Sequence, residues 1–439
     1  MPRDLSILSE SRPAVPGDPV PASRGRQGGH IPDEAQLGVR LPEGSVWPDY
    51  AEHGLFGLVG SIARFLDGGA LCIPGVDAPE TGTALGTTPT TTTTAPVVVL
   101  LLIDGLGDAF LARFGAGSHL LAHRRRAMTS VFPSTTASAI TTLMTGLPPA
   151  AHGLTGWFIR DGRFGGVLAP LPLNDRENRP VTGVARLRRL FPYHTLYQRR
   201  VRRSVLVSPA YIADSPFSRR HGRGAAVVPY DGLAELRETT LSAVAQLRCD
   251  GGGLVYAYYP VFDAISHAHG CESAEALAAF AEVDQTFGEL VDRLQGQRGV
   301  ELVASADHGF IDSPDSRFFD LGSIPGLYSM LESPLWGERR AAFCAVRAGA
   351  ESEFEAAVQA ALGANVCVAR SERLLAHGLF GPGPHHRRIH ERIGTHALLM
   401  APGWTVWDPR EGEHLHSMLG VHGGLSGREM WVPLIHARG

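Results

Sequence analysis

Six acidic and imidazole side chains stand where metal-assisted chemistry would use them. Asp104 closes the apolar run VVVLLLIDG (97–105). Asp263 and His267 end and follow GGLVYAYYPVFD (252–263); four residues apart, one helical turn places both on one face. Asp307 and His308 are adjacent in GVELVASADHG (299–309), and His422 lies in GVHGGLS near the C-terminus. Three carboxylates and three imidazoles without cysteine suit Zn²⁺, and Mn²⁺ less selectively. Each signal is weak singly. An aspartate after a strand is commonly a cap or turn residue, and a histidine beside glycine is commonly a loop residue. Their joint occurrence after successive strands carries the reading.

A hydroxyl cluster accompanies them in SVFPSTTASAITTLMTGLPPAAHGLTG (130–156). The pattern predicts a short strand from Met128 to Phe132, then Pro133, then Ser134, Thr135 and Thr136 before a helical run from Ala137 to Met144. Hydroxyls at a helix start are ordinarily N-caps. The same place offers free N–H groups and positive potential to an anion such as phosphate. A hydroxyl bound there to a metal becomes a nucleophile near neutral pH.

The elements that must position these groups are legible as runs. Continuous apolar stretches at 97–105, 252–263 and 299–309, with SVLVSPA (204–210), read as strands buried on both faces of a parallel sheet. Helical patterns at 231–248 and 273–294 alternate with them. That alternation predicts an α/β sandwich around a mostly parallel sheet, with ligands bound outside the carboxyl ends of the strands. Upstream, residues 1–45 read as an irregular arm and 46–79 as a short helical segment. Within it, 48–68 fits an amphipathic helix with Leu55, Leu58, Ile62 and Phe65 on one face. Residues 80–96 read as a Thr-rich linker, and 97–439 as the catalytic domain.

Composition bounds the function. The 439 residues are 44% hydrophobic and 19% charged with a formal charge of −4, which excludes a nucleic-acid signature. The basic runs at 123–126 and 385–388 read as solvated loops. Cys72, Cys249, Cys271, Cys344 and Cys367 are scattered, odd in number and lack a CxxC, which argues against a disulfide framework or cysteine zinc site. No apolar leader or membrane-length run is visible, so the expected location is cytoplasmic.

The motifs LLLIDGLG, VFPSTTASAITTLMTGLPPAAHG, YYPVFDAISHAHG, SADHGF and GVHGGLSGREMWVPL resemble, in type and order, the nucleotide pyrophosphatase/phosphodiesterase (type I phosphodiesterase) branch of the alkaline phosphatase superfamily, its bacterial members above all. The resemblance runs from about residue 97 to the C-terminus and implies a three-layer α/β/α fold. It implies two divalent metal ions, Zn²⁺ or else Mn²⁺. Asp263, His267 and His422 would hold one; Asp104, Asp307, His308 and the nucleophile would hold the other. The family spacing, ten residues before Gly146, places the nucleophile at Thr136, with Thr135 as the neighbouring competitor. The implied reaction is hydrolysis of a phosphodiester or pyrophosphate bond in a small, nucleotide-type substrate, by in-line displacement through a phospho-threonine intermediate.

The chain departs from the eukaryotic-type pattern at Ala139, where an asparagine amide helps bind phosphoryl oxygens. Backbone N–H groups near Thr135 and Thr136, together with the metals, would take over that role. The arginine that phosphomonoesterases of the superfamily place against phosphate is not identifiable, which favours diesters, with one charge fewer to neutralise. Phe132, Trp157 and Tyr259 are candidates to stack on an aromatic leaving group, although aromatics near a sheet are more often core. His269 is a candidate pocket residue or a surface histidine. The stretch 155–200 is expected to shape specificity. The competing readings are a phosphomonoesterase, phosphonate hydrolase or sulfatase on the same scaffold, and a silent binding module. Thr136 cannot become formylglycine, which counts against the sulfatase. The complete ligand set counts against the silent module.

Overall fold

Val97–Ile103 consists of seven apolar residues, every one buried. A strand with no polar face must be covered on both sides, and neighbouring strands flank it. It pairs in parallel with Gly253–Tyr259 on one side and Val300–Ser305 on the other. These three form the middle of a seven-stranded sheet. Beyond Gly253–Tyr259 lie Arg203–Pro209 and then the edge strand Ala226–Tyr230, both parallel. Beyond Val300–Ser305 lies Trp431–Arg438, the one antiparallel member, and then Arg124–Thr129. Helices Gly232–Cys249 and Ala274–Leu294 pack on each other and on this sheet, and Leu55–Leu66 packs on Thr136–Thr145. The whole is an α/β/α sandwich around a mostly parallel sheet, as the alternating pattern predicts.

This computed structural model describes residues 28–73, 76, 95–181, 183–409, 413 and 418–439. The expected arm over 1–45 lies outside the described residues up to 27, and the Thr-rich linker does so except for Ala95 and Pro96. The amphipathic segment forms the helix Leu55–Leu66, which buries Leu55, Leu58, Ile62 and Phe65. Among the described residues no helix is long and apolar enough to cross a membrane.

The strand expected from Met128 to Phe132 is displaced: it runs Arg124–Thr129. The chain leaves the ladder because its next donors are used elsewhere. Ser130 N–H donates to Met430 O and Phe132 N–H to the Tyr50 hydroxyl, while Pro133 has no N–H. That departure turns Ser134–Thr136 across the strand ends.

Within 97–439 the structure also contains a second, smaller sheet that the sequence pattern did not reveal. Its four antiparallel strands run in the order Trp336–Gly337, Ala341–Cys344, His396–Met400, Val366–Arg370. It carries its own hydrophobic clusters around Trp336, Phe343 and Phe380, and around Phe354 and Trp407. A buried ion pair joins it to the main sheet. Arg340 meets Glu429 through two of its three guanidinium nitrogens, Nε and Nη2, at 3.1 and 2.8 Å.

Candidate active site

The acids sit one to four residues past their strands, where the parallel ladder ends. Asp104 follows Ile103, its N–H donating to Tyr259 O at 2.9 Å. Asp307 stands two residues beyond Ser305. Asp263 and His267 occupy one face of the helix Val261–His269. His422 arrives from the loop after Gly420–Val421. All six groups converge.

Each acid of the innermost pair divides its labour between two oxygens. Asp307 Oδ1 accepts the N–H groups of Gly105 and His308, at 3.1 and 3.0 Å, and Asp104 Oδ2 accepts the Tyr258 hydroxyl. The other oxygens, Asp104 Oδ1 and Asp307 Oδ2, are buried with no hydrogen-bond partner, as is Asp263 Oδ1. These three lie 3.5, 3.3 and 3.9 Å from a common point, His308 Nε2. Buried carboxylate oxygens without partners are costly and rare in a folded chain. Burial pushes the Asp104 carboxyl well up, and the nearby Asp307 and Asp263 charges push it further. Burial likewise raises Asp263, against the pull of His267 and His308.

The histidines are oriented by their far nitrogens. Nδ1 of His267, His308 and His422 lies within hydrogen-bond reach of the Gly420, Gly309 and Ser134 carbonyls, at 2.8, 3.1 and 3.2 Å. A proton held at Nδ1 leaves the Nε2 lone pair facing inward, which is how metal-binding imidazoles are fixed. His422 Nε2 approaches His267 Nε2 at 3.2 Å, and His267 Nε2 lies 3.6 Å from Asp263 Oδ1. Burial and the neighbouring His308 and His267 hold His422 well below the usual imidazole range, so it is neutral. Two groups of donor atoms lie within 4.8 Å of one another: Asp104, Asp307 and His308; and Asp263, His308 and His422. His308 reaches both, and His267 closes the second side. Partnerless oxygens and inward lone pairs on an all-N/O donor set fit divalent cations.

Thr136 is the first residue of the helix Thr136–Thr145, and its Oγ1 lies 3.1 Å from His308 Nε2. Thr135 is buried and points elsewhere: its hydroxyl donates to Glu338 Oε1 at 2.6 Å and does not cap the helix. The structure thus brings Thr136 to the six metal-ligand candidates and turns Thr135 away.

Two cavities open on either side of Thr136. One, of about 360 Å³, is walled mainly by apolar side chains, among them Ile140, Met144, Leu206 and Phe217. The other, of about 420 Å³, is still mostly apolar in its wall but more polar than the first, with Arg176, Glu338 and Arg339 beside Trp407. Trp157 lines both, and Leu171, Pro172 and Asn174–Arg176 bring part of the 155–200 stretch to their walls. Phe132 packs on Phe380 in the second core and Tyr259 is buried in the first. His269 is half exposed beside Glu275. None of these three lines either cavity.

Glu338 and Tyr258 escape the sequence reading. Glu338 sits in WGERR, a charged turn with no catalytic spacing. Only the fold brings it against Gly423, where a Cβ would lie 2.6 Å from Glu338 Cβ. Tyr258 is set apart from Tyr259 only by strand alternation, which turns neighbouring side chains to opposite faces.

This arrangement is an α/β sandwich with a cluster of acids and imidazoles at its strand ends, and sequence comparison places it. The family of type I phosphodiesterases/nucleotide pyrophosphatases matches over residues 98–425, and the chain belongs to that family. An uncharacterized pyrophosphatase/phosphodiesterase of Schizosaccharomyces pombe is 30% identical over 86 residues, which cover 19% of this chain and 18% of that relative. Among solved structures, murine ectonucleotide pyrophosphatase/phosphodiesterase 5 is 17% identical with a TM-score of 0.60, over 78% of this chain and 88% of that one. An inactive threonine-to-alanine form of the same murine protein, in complex with AMP, matches at 17% identity and a TM-score of 0.59, over 77% and 87%. Phosphonoacetate hydrolase of Sinorhizobium meliloti, in complex with phosphonoformate, is 19% identical with a TM-score of 0.57, over 79% and 91%.

Proposed function

We propose that the chain is a metal-dependent hydrolase of phosphodiester or pyrophosphate bonds in small nucleotide-type substrates, with Thr136 as the nucleophile. The carrying observation is the Thr136 hydroxyl, 3.1 Å from His308 Nε2 at the focus of three partnerless carboxylate oxygens. Asp104, Asp307, His308 and Thr136 would hold one divalent cation, and Asp263, His267 and His422 a second. Such cations, Zn²⁺ or Mn²⁺, neutralise phosphoryl charge and acidify the hydroxyl. Ser138 and Ala139 N–H donate to Thr135 O, at 3.1 and 2.9 Å, which leaves the N–H groups of Thr136 and Ala137 at the helix start to meet an anion beside Thr136. They take the part that Ala139 cannot. Thr136 Oγ1 attacks phosphorus, the bond to the leaving oxygen breaks as the Oγ1–P bond forms, and the hydroxyl proton passes to the leaving oxygen by way of solvent. Water then cleaves Oγ1–P and a proton returns to the hydroxyl. The AMP complex of the murine threonine-to-alanine form supports both the residue type and the substrate class.

The test is a panel of bis-p-nitrophenyl phosphate, p-nitrophenyl phosphate, a nucleoside-phosphate aryl ester and a nucleotide sugar, each with Zn²⁺ or Mn²⁺. The diester or anhydride substrates are expected to turn over fastest. A clear preference for the monoester would sink this reading.

A further inference from the structure

Glu338 is a half-buried carboxylate that lines one cavity together with Thr136 and that the reaction above does not use. It stands in the turn between Trp336–Gly337 and Ala341–Cys344, closed by backbone hydrogen bonds between Glu338 and Ala341. Its Oε1 accepts two donors, the Thr135 hydroxyl at 2.6 Å and the Trp157 N–H at 2.5 Å. Two glycines make room for it. A Cβ at Gly423 would lie 2.6 Å from both Cβ and Cγ of Glu338, and a Cβ at Gly156 would meet the Gly337 backbone at 2.6 Å. Gly423 leaves room for the Glu338 side chain itself, and Gly156 for the backbone of the turn that carries it.

The acid comes at a cost, since burial pushes its carboxyl up to about 7. Apart from the two cations proposed above, the side-chain charges around it do not favour anions. The polar cavity is lined by Asp175, Asp263, Glu338 and Glu413 against Arg176 and Arg339. Arg176 is already held by Asp408 and Glu413, at 2.8 and 2.5 Å. Where a monoesterase needs a free cation, this site presents a carboxylate.

We propose that Glu338 is a specificity-determining residue: its charge admits the single negative charge of a phosphodiester and rejects the second charge of a phosphomonoester. This rests on the diesterase reading of the same site. A site can discriminate by placing repulsion against the wrong ligand, and repulsion between like charges is strong where water is excluded.

The glutamine variant separates charge from positioning, because E338Q keeps an oxygen acceptor for Thr135 and Trp157 while E338A removes it. At alkaline pH, with Zn²⁺ or Mn²⁺ loaded, E338Q is expected to raise the ratio of kcat/KM for p-nitrophenyl phosphate over bis-p-nitrophenyl phosphate about tenfold. E338A is expected to lower both values. Calorimetric titration with inorganic phosphate provides a readout without turnover, and E338Q is expected to bind it about tenfold more tightly than wild type. An unchanged ratio and unchanged phosphate affinity, in a wild type that prefers the diester, overturn the role of Glu338 alone. A wild type that prefers the monoester overturns the diesterase reading and the direction of selectivity with it.

Discussion

The two cavities that meet at Thr136 are built from different parts of the fold. The apolar one is walled by the nucleophile helix and by the main sheet's far strands and the helices after them, through Ile140, Leu206, Phe217 and Val227. The polar one is walled by the second sheet and its loops, through Glu338, Arg339, Trp407 and Glu413. They share Thr136, Trp157, Pro172 and Asp263. The reacting centre thus belongs to the main sheet, while half of what surrounds a substrate is delivered across a seam. An apolar wall favours a ring or chain that leaves water, and a polar wall orients and discriminates. The proposed catalytic groups and the proposed selectivity are therefore expected to be separable by mutation.

The largest break is at the shared centre. Thr136→Ala is expected to reduce kcat/KM for bis-p-nitrophenyl phosphate at least about a thousandfold, because the nucleophile itself is lost. Elemental analysis should still find close to two metal ions per chain, since six other ligand candidates remain. Near wild-type turnover in T136A would remove Thr136 from its role. The seam is the next target. Arg340 and Glu429 are both fully buried, and Glu429 also accepts Gly424 N–H at 2.8 Å and the Ser426 hydroxyl at 2.6 Å in the loop after His422. Arg340→Ala leaves that carboxylate without its cation, at an expected cost of about 3–5 kcal/mol. Urea unfolding measures it. A loss near the ~1 kcal/mol of a surface pair would mean the two sheets are held together elsewhere.

The same division governs what could be read without a structure. Asp104, Asp263 and Asp307 follow continuous apolar runs, and a run buried on both faces identifies a central parallel strand whose end faces the ligand side. His267 follows from helical spacing. Thr136 over Thr135 followed largely from family spacing; the geometry adds a reason, since the Thr136 hydroxyl faces His308 while the Thr135 hydroxyl is engaged by Glu338. The second sheet was illegible because its strands are short and its pairings distant in sequence, as between Cys344 and His396. Phe132 and Tyr259 were named as stacking candidates on residue type, and burial in two cores places both away from the cavities. Glu338 belongs to no motif. It gains its place from glycines far from it in the chain: Gly423, which clears its side chain, and Gly156, which clears the backbone of Gly337.

Glu338 also sharpens the comparison through stability. Its folded-state carboxyl is raised to about 7 by burial, above that of an exposed glutamate. A carboxyl raised on folding costs nothing while protonated and destabilises the fold as it ionises. The cost is absent below the unfolded-state value, grows between the two, and is complete above about 7, where it reaches at most ~3 kcal/mol. Glu338→Gln does not titrate. Its melting temperature relative to wild type is therefore expected to rise by a few degrees as pH increases from the acid range past neutrality. A difference that stays flat with pH would mean that Glu338 ionises in the fold as easily as in water.

The smallest expected effect lies in the wall that both cavities share. Trp157 is 39% exposed, so its ring contributes little to the folded core, while its N–H is fixed by Glu338. Trp157→Ala keeps that backbone donor and removes only the ring. Loss of one aromatic contact worth about 1 kcal/mol raises KM for an aryl diester roughly threefold to tenfold. The reacting groups are untouched, so kcat should stay close to wild type and the melting temperature should not move. The comparison gives this variant a further use. If substrate occupies both cavities, an alkyl diester lacking any ring should lose far less affinity than the aryl one, because only the ring contact has gone. Equal losses for the two substrates would mean that Trp157 acts by holding the cavities apart and not by touching the ligand.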